Sequence, residues 1–306
     1  MRDTVIKELL AHAKKNKDLI LITGDLGFGV LDNFIKELPE QFINAGVSEQ
    51  NMTAIAAGLA LEGKKVFTYS IGNFNTLRCL EHIRNDVCYH DLDVTVISVG
   101  GGFSYGQLGA SHFATEDIAI MGAIPNMKVV APSSKKSASI LMNQIISSKG
   151  PYYLRIDKSS GDEFIKDELN YEIGKINQSS NSSDVSIFVY GGIINEAYKA
   201  KELLEQDNIT VEIIDVHTLK PIDEAKVIEF IKNSKIVVTL EEHNKTGGLS
   251  SIIAQICLEN NTMPNDFLSF CLNDEFPKIV GDQNFLVNHF KLSADNIVKR
   301  VKSLKA

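Results

Sequence analysis

Cysteine is scarce. The 306-residue chain has four, Cys79, Cys88, Cys257 and Cys271, and no two are spaced as Cys-x-x-Cys. The sequence therefore offers neither a zinc knuckle nor a dithiol redox pair. Reduced, mostly buried thiols in a cytoplasmic protein are the reading that remains. A surplus of basic charge is also missing: 31 Lys and Arg against 39 Asp and Glu give a net charge of −8. Sequence-independent binding to nucleic acid needs a basic surface, so that class is set aside. A local basic patch remains able to hold a phosphorylated small molecule. No uninterrupted apolar run approaches a membrane span. The start, Met1-Arg2-Asp3-Thr4, lacks the apolar stretch of a signal peptide. No short-period internal repeat is present.

What the chain does have is the composition of a globular protein, 44% apolar and 23% charged, and enough length for two α/β domains. Short apolar runs alternate with helical periodicity. Residues 4–13 place Val5, Leu9, Leu10 and Ala13 on one helical face. Leu19–Ile22, Lys65–Ser70, Val94–Val99, Val129-Val130 and Tyr152–Ile156 read as strands. Met52–Leu61, Leu77–Tyr89, Glu116–Met121 and Ser137–Ile146 read as helices. Strands alternating with helices predict a mainly parallel sheet covered on both faces. Composition changes between about Glu163 and Asp184, where Asn177–Ser183 is polar, small and aperiodic, the mark of a linker or exposed loop. A second series follows, with strands at Val185–Tyr190, Val211–Val216 and Ile236–Leu240, and helices at Asn195–Leu204, Gly248–Leu258 and Ala294–Leu304. The expected architecture is α/β, two doubly wound domains: residues 1–165, a linker over 166–184, and residues 185–306. In such sheets ligands sit beyond the carboxyl ends of the strands. Asp25, Ser70–Phe74 and Gly100–His112 all follow strands, so one edge of the first domain is where a site should lie.

The most informative segment is Gly46-Val47-Ser48-Glu49-Gln50-Asn51, which opens a helix of small residues. Its plain reading is that Ser48 caps the helix and Glu49 complements the helix dipole. The wider pattern says more. Arg2, Gly24-Asp25-Leu26, the Glu49 segment, Phe74 with Leu77-Arg78, and Glu81-His82-Ile83-Arg84 occur in that order. Ser104-Tyr105-Gly106, Ser111-His112, Glu116-Asp117-Ile118-Ala119 and Ala123–Met127 follow. Leu219-Lys220-Pro221-Ile222-Asp223, Glu241–Asn244 and Gly247-Gly248-Leu249 complete the set. Over nearly its whole length the chain resembles the C-terminal half of transketolases, which holds a pyrimidine-binding domain and a C-terminal domain.

The resemblance implies thiamine diphosphate as cofactor and a two-carbon ketol transfer as reaction. It assigns Glu49 a hydrogen bond to N1′ of the aminopyrimidine, so that the ring's own amino group becomes able to remove the C2 proton. For that, burial of Glu49 must outweigh the helix dipole. Phe74 would stack on the aminopyrimidine, with Ile71 and Asp25 as further cofactor contacts. Taken alone, Phe74 reads as a core residue and Asp25 as a turn former. His112 would touch substrate oxygens, and Arg2 and Lys158 would bind a distal phosphate. His12, His82, His90, His217 and His289 match nothing catalytic, and Glu242 and His243 read as structural.

Four positions depart from the usual pattern. Gly100 and Leu108 stand where a substrate-contacting histidine and aspartate are usual. Gly29 replaces a phosphate-binding serine, and Lys158 an arginine, which exchanges a fork of donors for a point charge. The cofactor half is kept and the substrate half altered, so an unusual acceptor is expected. The Gly-Asp-Gly stretch and asparagine that hold the diphosphate and Mg2+ in this family are absent. A partner subunit carrying the pyrophosphate-binding domain is therefore expected, in an α2β2 assembly. No metal ligand is assigned to this chain.

Three rival readings are weighed. One is another thiamine enzyme, of the deoxyxylulose-phosphate synthase type or a 2-oxoacid dehydrogenase E1 β subunit. Another is a penicillin-binding enzyme, from Ser133-Ser134-Lys135-Lys136, Ser179-Ser180-Asn181 and Lys245-Thr246-Gly247. The third is a subunit that only stabilises a complex.

Overall fold

A computed structural model of the protein describes residues 1–164, 170–176, 178 and 182–305. The first half supplies β1 (Leu19–Thr23), β2 (Phe42–Asn44), β3 (Lys65–Ile71), β4 (Val94–Val99), β5 (Lys128–Val130) and β6 (Tyr152–Ile156). The second half supplies β7 (Ser183–Val189), β8 (Val211–Asp215), β9 (Thr218–Lys220), β10 (Ser234–Asn244) and β11 (Asp266–Leu272). Two sheets form, in the orders β2-β1-β3-β4-β6-β5-β9 and β11-β10-β7-β8. Every pairing is parallel except β5 with β9. All positions of β1, β4 and β6 are buried. Helices on both faces leave such strands no wet side, hence their mainly apolar sequences, with Thr95, Ser98 and Arg155 among the buried exceptions.

The two halves are not independent. β9 leaves the second half to close the edge of the first sheet. One continuous apolar cluster joins Met121 and Val129 of the first half to Phe188, Val216 and Leu249 of the second. Phe103 and Phe113, from the loop after β4, pack with Ile187, Leu240 and Leu286 of the second half. That loop, the one carrying His112, is thus clamped at the domain boundary. Buried Arg155 adds a polar joint: its Nε donates to Asp157 (3.3 Å), and its Nη1 donates to the Tyr190 hydroxyl (3.1 Å) and lies 3.5 Å from Asp117.

Several local expectations are revised. The winding expected as one helix over 77–89 is a tight 3-10 turn (Leu77–Cys79), a short α segment (Leu80–His82) and a wide π turn (Ile83–Cys88). The helix expected over 116–121 is Asp117–Ala123, with Glu116 before its first turn. β2, β9 and β11 were not expected. Of the polar stretch Asn177–Ser183, Asn177 and residues 179–181 lie outside the described residues. Tyr171 and Ile176, just before it, are buried, and Tyr171 meets His217 edge-on at 5.3 Å. The four cysteines are free, three of them buried. No described helix is long and apolar enough to cross a membrane.

Candidate active site

Glu49 is the first residue of the helix Glu49–Leu61. This helix starts against the carboxyl end of β1. A Cβ on Gly24 would lie 3.3 Å from the Glu49 side chain, so a glycine there lets the two segments meet. Ser48 precedes the helix but makes no side-chain cap bond, so the capping reading of Ser48 is not realised. Glu49 is only 2% exposed. Its Oε2 accepts a hydrogen bond from Arg78 Nη1 at 2.7 Å. Arg78 in turn lies close enough to Phe74 to bring Cζ 4.6 Å from the ring centroid.

Phe74 sits on a short turn, Gly72–Asn75, directly after β3. The turn is held from below. Asn75 is fully buried and donates to the Ile97 carbonyl (2.9 Å), and Thr76 Oγ1 donates to the Gly72 carbonyl (2.7 Å). Gly72 allows close approach, because a Cβ there would come within 2.7 Å of Ala114. Asn73 Nδ2 reaches the carbonyls of Ala110 and Ser111, each at 3.3 Å. These bonds tie the Phe74 turn to the loop bearing His112, whose ring meets Phe74 edge-on at 5.1 Å. His112 Nδ1 lies 3.0 Å from Ser111 Oγ. Desolvation lowers the imidazole pKa, which favours a neutral ring able to accept or donate a hydrogen bond. A groove of about 580 Å³ is lined by Phe74, Arg78 and Ser111 together with Phe276 and Pro277 of the second half.

Arg2 and Lys158 meet elsewhere, in a cleft of about 270 Å³ with Tyr105 and Lys135. Lys158 Nζ rests 4.0 Å from the centroid of the Tyr105 ring, and Arg2 pairs with Asp3 at 3.1 Å. Tyr105 also approaches His112, with ring centroids 6.5 Å apart, so it stands between the cationic cleft and the groove. Gly100 explains its placement: a Cβ there would lie 2.2 Å from the Tyr105 ring. The ring fills the space a side chain at position 100 would need. Leu108 is exposed. Ile71, half-buried, ends β3 immediately before the Phe74 turn. Asp25 is exposed with φ 58° and exchanges hydrogen bonds with Asn44, whose Nδ2 donates to its carboxylate at 2.9 Å. Among the described residues no three His, Cys, Asp or Glu side chains are grouped as metal ligands.

The structure therefore sets Phe74 and Arg78 on one groove, with Glu49 behind Arg78 and His112 against the Phe74 ring, and puts Arg2 with Lys158 in a second cleft. Sequence reasoning gave no role to Arg78, although it noted the Leu77-Arg78 pair. Asn73 and Asn75 were also missed. Their signal was a pair of asparagines flanking an aromatic residue just after a strand. Glu242 and His243, read as structural, are both buried, and His243 Nε2 accepts from the Ala119 backbone N–H at 3.3 Å. Glu241 accepts from the backbone N–H groups of Leu249 (2.7 Å) and Ser250 (2.9 Å), capping the helix Leu249–Glu259. Glu242 accepts from Gln283. Ser133, the nucleophile of the penicillin-binding reading, is fully buried and hydrogen bonded to Asp215. Ser134 caps the helix Lys135–Ser147. Ser179–Asn181 lie outside the described residues.

A buried carboxylate and an aromatic ring, joined by one guanidinium, thus stand beyond the strand ends of a parallel α/β unit. Residues 1–162 match the transketolase pyrimidine-binding domain and residues 174–297 the transketolase C-terminal domain, and the chain belongs to the transketolase family. It is a transferase subunit of that thiamine diphosphate-dependent type. A Methanocaldococcus jannaschii protein, provisionally named a transketolase C-terminal section, is 38% identical over 98% of this chain and 95% of its own length. One of the apulose-4-phosphate transketolase subunits of Phocaeicola vulgatus is 31% identical over 97% of this chain and 95% of its own. A solved structure described as a split gene transketolase, inactive beta4 tetramer, superimposes with a TM-score of 0.86 at 30% identity. It covers 99% of this chain and 96% of that one.

Proposed function

We propose that this chain is the C-terminal subunit of a split transketolase in the cytoplasm. It transfers a two-carbon ketol unit from a ketose or ketose-phosphate donor to an aldehyde acceptor. Its partner is a subunit carrying the pyrophosphate-binding domain, which holds the diphosphate and most of the Mg2+ coordination, in an α2β2 assembly. Thiamine diphosphate, when bound, supplies the nucleophilic carbon that takes up the two-carbon unit. The residues present suit its aminopyrimidine. Glu49 offers a carboxyl oxygen, Phe74 a flat aromatic face, and Arg78 already bridges the two as a planar nitrogen-donor group. Glu49 would hold the ring by a hydrogen bond at N1′, and its burial would keep water from competing for that bond. Ile71 and Asp25 border the same end of the site.

His112, beside Phe74 on a loop clamped between the domains, exchanges a proton or a hydrogen bond with substrate oxygens. Arg2 and Lys158 attract the anionic end of the substrate, Lys158 as a point charge parked on Tyr105. With Gly100, Leu108 and Gly29 at the substrate positions, we read the acceptor as other than an ordinary pentose phosphate.

One observation carries the reading: a nearly unexposed carboxylate joined through one guanidinium to an aromatic ring that lines a groove. The test is reconstitution with the partner subunit and Glu49→Gln. Ketol transfer should fall at least about 100-fold, with melting temperature and assembly unchanged. Retained activity would make this a stabilising subunit only. Faster release of carbon dioxide from pyruvate than ketol transfer from any ketose would favour a different thiamine enzyme.

A further inference from the structure

We propose that Arg78 is an internal place-holder for the cofactor's aminopyrimidine, seated between Glu49 and Phe74 until the cofactor displaces it. The inference rests on the reading of Glu49 and Phe74 given above and adds a role for a residue that reading leaves unexplained. Three observations carry it. First, the Arg78 guanidinium satisfies both halves of the seat together: Nη1 donates to Glu49 Oε2 at 2.7 Å, and Cζ lies 4.6 Å from the Phe74 centroid. A guanidinium is planar, rich in N–H donors and able to stack on an aromatic face. An aminopyrimidine protonated on its ring nitrogen has the same three properties. Second, the pair is lopsided. Glu49 is 2% exposed and the Arg78 side chain 46%, so the carboxylate is fixed in the fold and the arginine lies over it from the solvent side. Third, the 580 Å³ groove is lined by Phe74 and Arg78, and Glu49 is not among its lining residues. Arg78 stands between the groove and the carboxylate.

The arrangement has a physical logic. A buried carboxylate without a partner is strongly unfavourable, and a subunit that meets its cofactor only in an assembly needs another partner in the meantime. Arg78 is half exposed and long enough to swing into the groove, so it can satisfy Glu49 and still leave. The consequence is a competition: whatever binds Phe74 and Glu49 must first remove Arg78, and its apparent affinity falls by the fraction of chains in which Arg78 is seated. Arg78 is a positioning residue here, not a catalytic one.

The test uses the full-length chain alone, with the free hydroxymethyl-aminopyrimidine half of thiamine as probe and binding read by calorimetry. Arg78→Ala should bind the probe at least about tenfold more tightly than wild type. Arg78→Lys should fall between, because an ammonium pairs with Glu49 but does not stack as a plane. Adding Glu49→Gln to Arg78→Ala should cancel the gain. A merely structural arginine would give the opposite order, with truncation weakening binding or leaving it unchanged, and that result overturns the proposal. Equal binding by wild type and Arg78→Ala removes the role of Arg78 and leaves the seat intact. No binding by any folded variant means that the seat itself is misassigned, and the proposal falls with it. Should Arg78→Ala not fold, Arg78→Lys decides: tighter binding than wild type supports displacement, and equal or weaker binding refutes it.

Discussion

At the scale of single residues, the cofactor side of the site and its substrate side are built on different principles. Glu49 and Phe74 are fixed by backbone contacts around them. Gly24 admits the Glu49 side chain, and Asn75 anchors the Phe74 turn to β4. The substrate side is shaped by what glycine omits. Gly100 has φ 92°, and a Cβ on it would overlap the Tyr105 ring at 2.2 Å. Gly29 has φ 77°, but nothing lies within 4 Å of the place its Cβ would take. Both positions penalise an L side chain through the backbone, and only Gly100 adds a collision. Gly100→Ala should therefore cost roughly 2–4 kcal/mol and Gly29→Ala about 1 kcal/mol, measured by urea denaturation. Equal losses would show that the Tyr105 ring moves aside freely, and that it does not define the cleft of Arg2 and Lys158.

At the scale of elements, three helices begin in three ways. Ser134 and Ser137 form a reciprocal capping box at the start of Lys135–Ser147. The helix Leu249–Glu259 is capped from outside by Glu241, a buried strand carboxylate serving two backbone N–H groups. The helix Glu49–Leu61 has Ser48 in the capping place without the capping bond. The three starts should differ in what they contribute to stability. Ser48→Ala should change unfolding free energy by less than about 0.5 kcal/mol, Ser134→Ala should cost about 1 kcal/mol, and Glu241→Ala about 2–3 kcal/mol. A Ser48→Ala cost matching that of Ser134→Ala would restore the capping role and remove one reason to regard this helix start as built for a ligand. The same elements show what a sequence discloses. β1, β4 and β6 were legible because strands buried on both faces are mainly apolar instead of alternating. β9 was not, because its three residues are held by β5 of the other domain, and no local period encodes so distant a partner. β2 is equally short, and β11 alternates buried and half-exposed positions irregularly. Glu49 and Phe74 were found through an ordered set of motifs. Arg78 was not assigned, because its bond to Glu49 spans 29 positions and forms only once the β3 turn is folded against the helix.

At the scale of the whole molecule, the two halves are joined by buried polar groups as well as by apolar contact, and this makes the joint sensitive to pH. Asp215 ends β8 in the second half, while its hydrogen-bond partner Ser133 belongs to the first. The Asp215 carboxyl is buried. Desolvation lifts its pKa from the ordinary 3.8 to about 7, against the smaller opposing effects of the Ser133 and Tyr171 hydroxyls. The sign of the consequence is fixed by linkage. Between about pH 4 and pH 7 the folded chain keeps a proton that the unfolded chain has released, so this group's contribution is greatest below pH 4. It declines as pH rises through the window. Asn at this position imitates the neutral acid at every pH. The stability of Asp215→Asn relative to wild type should therefore rise between pH 5 and pH 8, by on the order of 2–4 kcal/mol. Unfolding curves in urea at stepped pH values would measure the difference. Parallel pH profiles for the two proteins would mean that Asp215 is ionised in the folded chain. In that case the joint would rest on the Arg155 cluster, β9 and the shared apolar core.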